Sequence, residues 1–228
     1  MKEISIQRPE IFPPEIRELL RSLCITGFFS HGLLTGSWVF PLYESAFKIR
    51  YPLKTFDIDF VVNLSSFRSL KSVDLERTLV GLGYVTVFDY RTGLRKYSKE
   101  GFEVEFLVQR RGSRDLDHIA IKQLNVTATP LPFLQILFHA TLSVNFGDFK
   151  IKIPSPEALF VHKLIIAQRR NNLIKQENDL SQCKALIPIL NQEQVLEIIG
   201  FFKFNTKTKK AIITSCHNID FPPQSLEL

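Results

Sequence analysis

The run Lys54-Thr55-Phe56-Asp57-Ile58-Asp59-Phe60-Val61-Val62-Asn63 sets two carboxylates two residues apart at the head of an apolar stretch. Its aromatic and β-branched content predicts a strand over 56–63. Side chains alternate between the faces of a strand, so Asp57 and Asp59 share one face while Ile58 points into the core. Two like charges held this close repel each other unless a cation lies between them. A hard cation such as Mg2+ takes one or two carboxylates together with substrate phosphate oxygens. A solvent-facing strand edge accommodates an isolated Asp-x-Asp equally well, so the surroundings decide.

Upstream, Gly32-Leu33-Leu34-Thr35 reads as a short buried strand ending at Gly36-Ser37, where a helix-like stretch from Trp38 to about Phe47 opens. Glycine lets a phosphate approach the backbone, and helix N-terminal amides with a serine hydroxyl donate to it; an ordinary serine cap has the same sequence. Downstream, Glu103 and Glu105 alternate with Phe102, Val104 and Phe106, and either adds a third carboxylate. Lys54 and Thr55 place a cation and a hydroxyl at the same rim.

Taken in order, Thr35-Gly36-Ser37, Phe56-Asp57-Ile58-Asp59-Phe60 and Glu103-Val104-Glu105-Phe106 resemble the signature of the polymerase-beta-like nucleotidyltransferase superfamily. That signature is a Gly-Ser or Gly-Gly at a helix start, an Asp-x-Asp strand and a third acidic residue on a neighbouring strand. The Lys54 to Asp59 run looks closest to the AbiEii-type group and related uncharacterised bacterial nucleotidyltransferase-like proteins. A later segment, from His162-Lys163-Leu164 through Arg169-Arg170 to Lys175 and Asp179, is similar to that group as well. The resemblance covers about residues 30–180. It implies Mg2+ or Mn2+ held by Asp57, Asp59 and Glu105, and an NTP gripped by Gly36, Ser37, Thr55 and Lys163. Lys163 and Asp179 would complete the active site. The implied reaction moves a nucleoside monophosphate to a hydroxyl of RNA, a protein or a small molecule. Within the AbiEii-type group an antitoxin-type protein partner is also implied.

Two features depart from the pattern. Nineteen residues lie between Ser37 and Asp57, so an extended helix or loop intervenes. Glutamate stands where the third acid is more usually aspartate, and Glu105, just before Phe106-Leu107-Val108, matches the family better than Glu103. A chain that keeps the fold and binds a nucleotide, RNA or a partner protein without turnover stays open. Lys163, among Leu159, Val161, Leu164 and Ile165, reads equally as the solvated face of an amphipathic helix, and Arg169, Arg170 and Lys175 as a basic surface.

The remaining pattern is mixed. Pro13-Pro14 opens a helix with Ile16, Leu19, Leu20 and Leu23 on one face. Residues 72–82 suit a helix, and 85–88, 94–97 and 102–108 suit strands. Ser113 to Asp117 reads as a loop. Leu142–Phe146 and Phe149–Ile153 form a hairpin across Gly147-Asp148. Ser155 caps a helix at Pro156, and helical patterns run on to about Cys216. The fold class is therefore α/β (α+β): a mixed sheet with flanking helices over 1–153, then a helical region over 154–228.

Net charge is +6, and residues 161–210 carry nine Lys or Arg against four Asp or Glu, which leans towards RNA or another polyanion. Three distant cysteines argue against a disulfide framework. The N-terminus lacks the apolar run of a secretory signal, and no stretch is apolar enough to cross a bilayer, so a cytoplasmic protein without a membrane partner is expected. The 20 phenylalanines are read as core.

Overall fold

The computed structural model describes residues 2–6, 9–51, 55–65, 72–112 and 117–228. Lys54 and residues 113–116, where a loop is expected, lie outside the described residues. Helix α1, Pro14–Ile25, buries Ile16, Leu19, Leu20 and Leu23, the face predicted from their spacing.

The main sheet is built around β3 (Asp57–Val62) and β6 (Phe102–Gln109), which run parallel. On the other side of β3 lies the antiparallel β2 (Gly32–Thr35). The first half of β6 pairs with β5 (Arg95–Lys99), which pairs in turn with β4 (Val85–Phe88). Its last residues pair instead with β8 (Val126–Leu131), next to β7 (Ile119–Ile121). Helix α2, Phe40–Phe47, fills part of the long connection from Ser37 to Asp57. Helix α3, Leu75–Gly81, begins later than its sequence pattern because Asp74 caps it, accepting from the amide of Arg77.

A second sheet joins β9 (Thr141–Asn145) and β10 (Lys150–Pro154) as the predicted hairpin. The strand β1 (Lys2–Ser5) adds to it, parallel to β9. Neither β1, β7, β8 nor the short α4 (Gln135–His139) was expected from the sequence.

Ser155 caps α5 (Pro156–Ala167) by accepting from the amide of Ala158. Helices α6 (Leu173–Leu186), α7 (Gln192–Phe202) and α8 (Thr206–Asn218) follow, and α4, α6, α7 and α8 all pack against α5. That packing corrects the amphipathic reading of α5: every residue except Ile166 is buried, Lys163 included. A helix enclosed on all sides has no solvated face on which to place a lysine.

Phenylalanine is core material. Phe28, Phe60 and Phe106 form a ring cluster with centroids 5.5–5.9 Å apart, on the face of β3 and β6 opposite the carboxylates. One hydrophobic core runs through residues from both sides of Pro154. Cys183 and Cys216 are buried thiols, while Cys24 is partly exposed. Among the described residues no helix is long and apolar enough to cross a membrane.

Candidate active site

Strand register brings the acidic residues together. Asp57 lies beside Glu103 and Asp59 beside Glu105 across the parallel β3–β6 pair, so all four carboxylates rise from one sheet face. Asp57 is exposed, whereas Asp59, Glu103 and Glu105 are half-buried. A lysine missed by sequence reasoning sits between the two glutamates: Lys96 Nζ is 2.6 Å from Glu103 and 3.4 Å from Glu105. Burial pulls the Lys96 ammonium down, but the two carboxylates outweigh it and hold the group above its ordinary range. Glu105 also accepts from the Thr129 hydroxyl at 2.5 Å. The alternation of β5 gave no sign that Lys96 faces a carboxylate pair.

Among the described residues, Asp59 has no such counter-charge within bonding distance. Burial first, and then repulsion from Glu105 and Asp57, push its carboxyl up to about 7 against the partial relief of Lys163 and Arg170. A carboxylate this short of positive charge suits a hard divalent cation, and the all-oxygen donor set of Asp57 and Asp59 fits the same class. Among the described residues no three His, Cys, Asp or Glu side chains already stand around a common point as a metal sphere. Glu105 is turned instead to Thr129 and Lys96.

The glycine-serine turn abuts this cluster. Thr35 is the register partner of Asp59, and the chain then turns through Gly36 at φ +71°. A Cβ on Gly36 would lie 2.5 Å from Asp59 Oδ2, so both the backbone angle and the close approach require glycine. Residues Gly36–Val39 form a 3-10 turn, and the α-helix begins only at Phe40. Ser37 Oγ accepts from Gln182 Nε2 at 2.8 Å, and the same amide lies 3.3 Å from the Tyr51 hydroxyl. Thr55 Oγ1 accepts from the amide of Asp57 at 3.1 Å, fixing the entry to β3.

The helices supply the cations. Lys163 Nζ donates to Asp179 Oδ1 at 2.6 Å, and Arg170 Nε donates to Oδ2 at 2.7 Å. Burial alone would raise the Asp179 carboxyl, but Lys163 and Arg170 together hold it below its usual range. Lys163 and Asp179 are thus brought together in a buried ion pair, and both Lys163 and Arg170 act on the charge of Asp59. Lys175 is exposed. Gln182 was missed, although its position three residues after Asp179 puts both on one face of α6.

The comparisons with known proteins follow the same lines. A family model described as a nucleotidyltransferase matches residues 15–201. No curated protein sequence matches the chain. Among solved structures, the chain is similar to an antigenic nucleotidyltransferase-like protein from Paracoccidioides brasiliensis, with 16% identity and a TM-score of 0.53 over 92% of each chain. It is also similar to the antibiotic-resistance factor ANT(2'')-Ia, with 11% identity and a TM-score of 0.45 over 90% of this chain and 95% of that one. At such identity the first likeness bears on the fold alone.

Proposed function

The chain belongs to the nucleotidyltransferase family, and from that premise we propose that it moves a nucleoside monophosphate from an NTP to a hydroxyl of an acceptor at the β3–β6 carboxylates. One observation carries the reading. The Gly36 turn lies so close to the Asp59 carboxylate that a methyl group there would meet Oδ2 at 2.5 Å and force one of them to shift. A phosphate-receiving backbone and a cation-seeking carboxylate are thereby one unit.

Asp57 and Asp59 would hold Mg2+ or Mn2+, with Glu105 as the third ligand ahead of Glu103. When bound, the ion neutralises the triphosphate and polarises the α-phosphorus. Gly36 and Ser37 receive the β- and γ-phosphates. Because Ser37 Oγ already accepts from Gln182, its own proton is left to donate to a phosphate oxygen. Thr55 orients Asp57 through the backbone amide. Lys163 offsets the charge gathered around Asp59, and Asp179 is its positioning residue. Asp57 and Glu105 orient the attacking hydroxyl. The work is positioning and electrostatic stabilisation. The Lys54 to Asp59 run supports an AbiEii-type affiliation, and with it an antitoxin-type partner; the basic helices support RNA as an acceptor.

The test is label transfer from each labelled NTP to total RNA with Mg2+ or Mn2+, beside the Asp57→Ala, Asp59→Ala double variant. Labelling by the wild type that falls to background in the variant is expected. Equal labelling by both, or none with any metal, overturns the proposal. The second outcome favours the reading in which the fold binds without turnover, and the engagement of Glu105 by Thr129 and Lys96 is the observation behind that alternative.

A further inference from the structure

Asp59, Glu105, Leu107 and Gln109 lie on one side of the β3–β6 pair, and Leu131 at the end of β8 is the register partner of Gln109. Following that face away from the carboxylates leads to a separate cavity of about 290 Å³ against α5. Leu131 and Ile166 give it an apolar wall, and Arg110, His162, Arg169 and Arg170 give it polar groups. Among the described residues, none of Gly36, Ser37, Asp57 or Asp59 lines it, and neither does any carboxylate.

Two of its polar groups, Arg169 and His162, are held in place without an acidic partner among the described residues. Arg169 stacks its guanidinium 4.7 Å above the Phe133 ring, with Nη2 3.5 Å from the Thr208 hydroxyl. Among the described residues no carboxylate forms an ion pair with it. Arg170 is held at Nε by Asp179. His162 is only 7% exposed, yet among the described residues neither ring nitrogen has a hydrogen-bond partner. A buried imidazole with both nitrogens unsatisfied is costly, and such groups in folded proteins are nearly always matched by a partner. Burial, followed by the charge of Lys163, lowers its pKa to about 3, so it stays neutral with one N–H to donate. Guanidinium groups beside a neutral donor select an anion, and a fork-shaped guanidinium suits phosphate oxygens. A volume just below the roughly 300–1,000 Å³ usual for small-molecule sites leaves room for a phosphate and part of the molecule that carries it.

We propose that this cavity seats the phosphate of a phosphomonoester acceptor, bound by Arg169, Arg170 and His162 apart from the triphosphate at Gly36 and Ser37. The proposal rests on the nucleotidyl-transfer reading, whose acceptor it specifies. Arg170 joins the two sites, since it lines the cavity and also acts on the charge of Asp59.

The experiment titrates inorganic phosphate into the full chain, labelled with 15N at histidine, without metal or NTP. Binding is therefore read independently of turnover. The His162 ring signals, assigned by their loss in His162→Gln, should move in the wild type and in Asp57→Asn. Affinity should fall at least tenfold in Arg169→Gln and recover in part in Arg169→Lys, with thermal melts checking that both remain folded. A hexose phosphate or a 5′-phosphorylated oligoribonucleotide should displace the phosphate, whereas its unphosphorylated counterpart should not. The stronger competitor identifies the acceptor's source. Unmoved His162 signals, unchanged affinity in Arg169→Gln, or loss of binding in Asp57→Asn would overturn the assignment. Displacement by metal-free ATP but by neither phosphomonoester would give the cavity to the donor, and would overturn it too.

Discussion

At the scale of single residues, Gly36 and Asp59 are coupled. Gly36→Ala brings a side chain into the left-handed region at φ +71° and presses its methyl onto Asp59 Oδ2. Strain of that kind costs about 1–3 kcal/mol, so a lower melting temperature and at least a tenfold loss of transfer are expected. A variant with wild-type melting and activity would refute the fit. Glycine at the end of an apolar strand was legible in the sequence as a turn that admits a phosphate. What it must make room for was not, because Asp59 meets it only through the β2–β3 register.

The Asp59 carboxyl also sets a pH dependence. Its folded value of about 7 lies above the ordinary 3.8, so between those two values the folded chain holds a proton that the unfolded chain has lost. This contribution to stability is therefore present at low pH and is lost as pH rises towards 7 and beyond. Without divalent cations, Asp59→Asn should melt higher than the wild type at pH 8, by an amount on the order of 1–3 kcal/mol. The gap should shrink at pH 5 and shrink again at pH 8 when Mg2+ is added. A gap that is independent of pH would mean that Asp59 is not held near neutrality.

Among the elements, α5 and α6 carry the cationic side of the site. Asp179→Ala leaves Lys163 buried without its partner, a change that costs about 3–5 kcal/mol in comparable buried pairs. Urea denaturation should show that loss, and a change below 1 kcal/mol would mean that Lys163 finds water or another partner. Gln182→Ala should act differently. It removes the bond that holds Ser37 Oγ, so KM for NTP should rise several-fold, while stability falls by only about 1 kcal/mol. Sequence periodicity served these elements unevenly. It found the buried face of α1 residue by residue, because polar positions alternate there with apolar ones. It misread α5, where Glu157, His162 and Lys163 are buried among apolar neighbours and no contrast between faces survives. Strand β8 escaped because it carries Pro130, a residue that argues against a strand.

Over the whole molecule, the candidate site is assembled from both sides of Pro154. The sheet contributes Gly36, Ser37, Asp57, Asp59 and Glu105, while the helices contribute Lys163, Asp179 and Gln182. The carboxylate strands and the glycine turn were legible because their chemistry is local. The link from Gln182 to Ser37 spans the chain, and no local pattern encodes it. The proposed boundary at Pro154 thus divides a core to which both portions contribute, and packing across it predicts a single unfolding transition. Trp38, the only tryptophan, is buried in the turn that begins at Gly36 and reports on the sheet side by fluorescence. Far-UV circular dichroism at helical wavelengths reports largely on α5 to α8. The two midpoints should coincide, and NTP with Mg2+ at a hundredfold excess over Kd should shift both upward together, corresponding to about 2.7 kcal/mol of added stability. A helical signal that melts apart from Trp38, or that ignores the nucleotide, would make the helices an independent unit. Lys163 and Asp179 would then lose their place in the site, since a group that helps to bind the triphosphate must be stabilised with it.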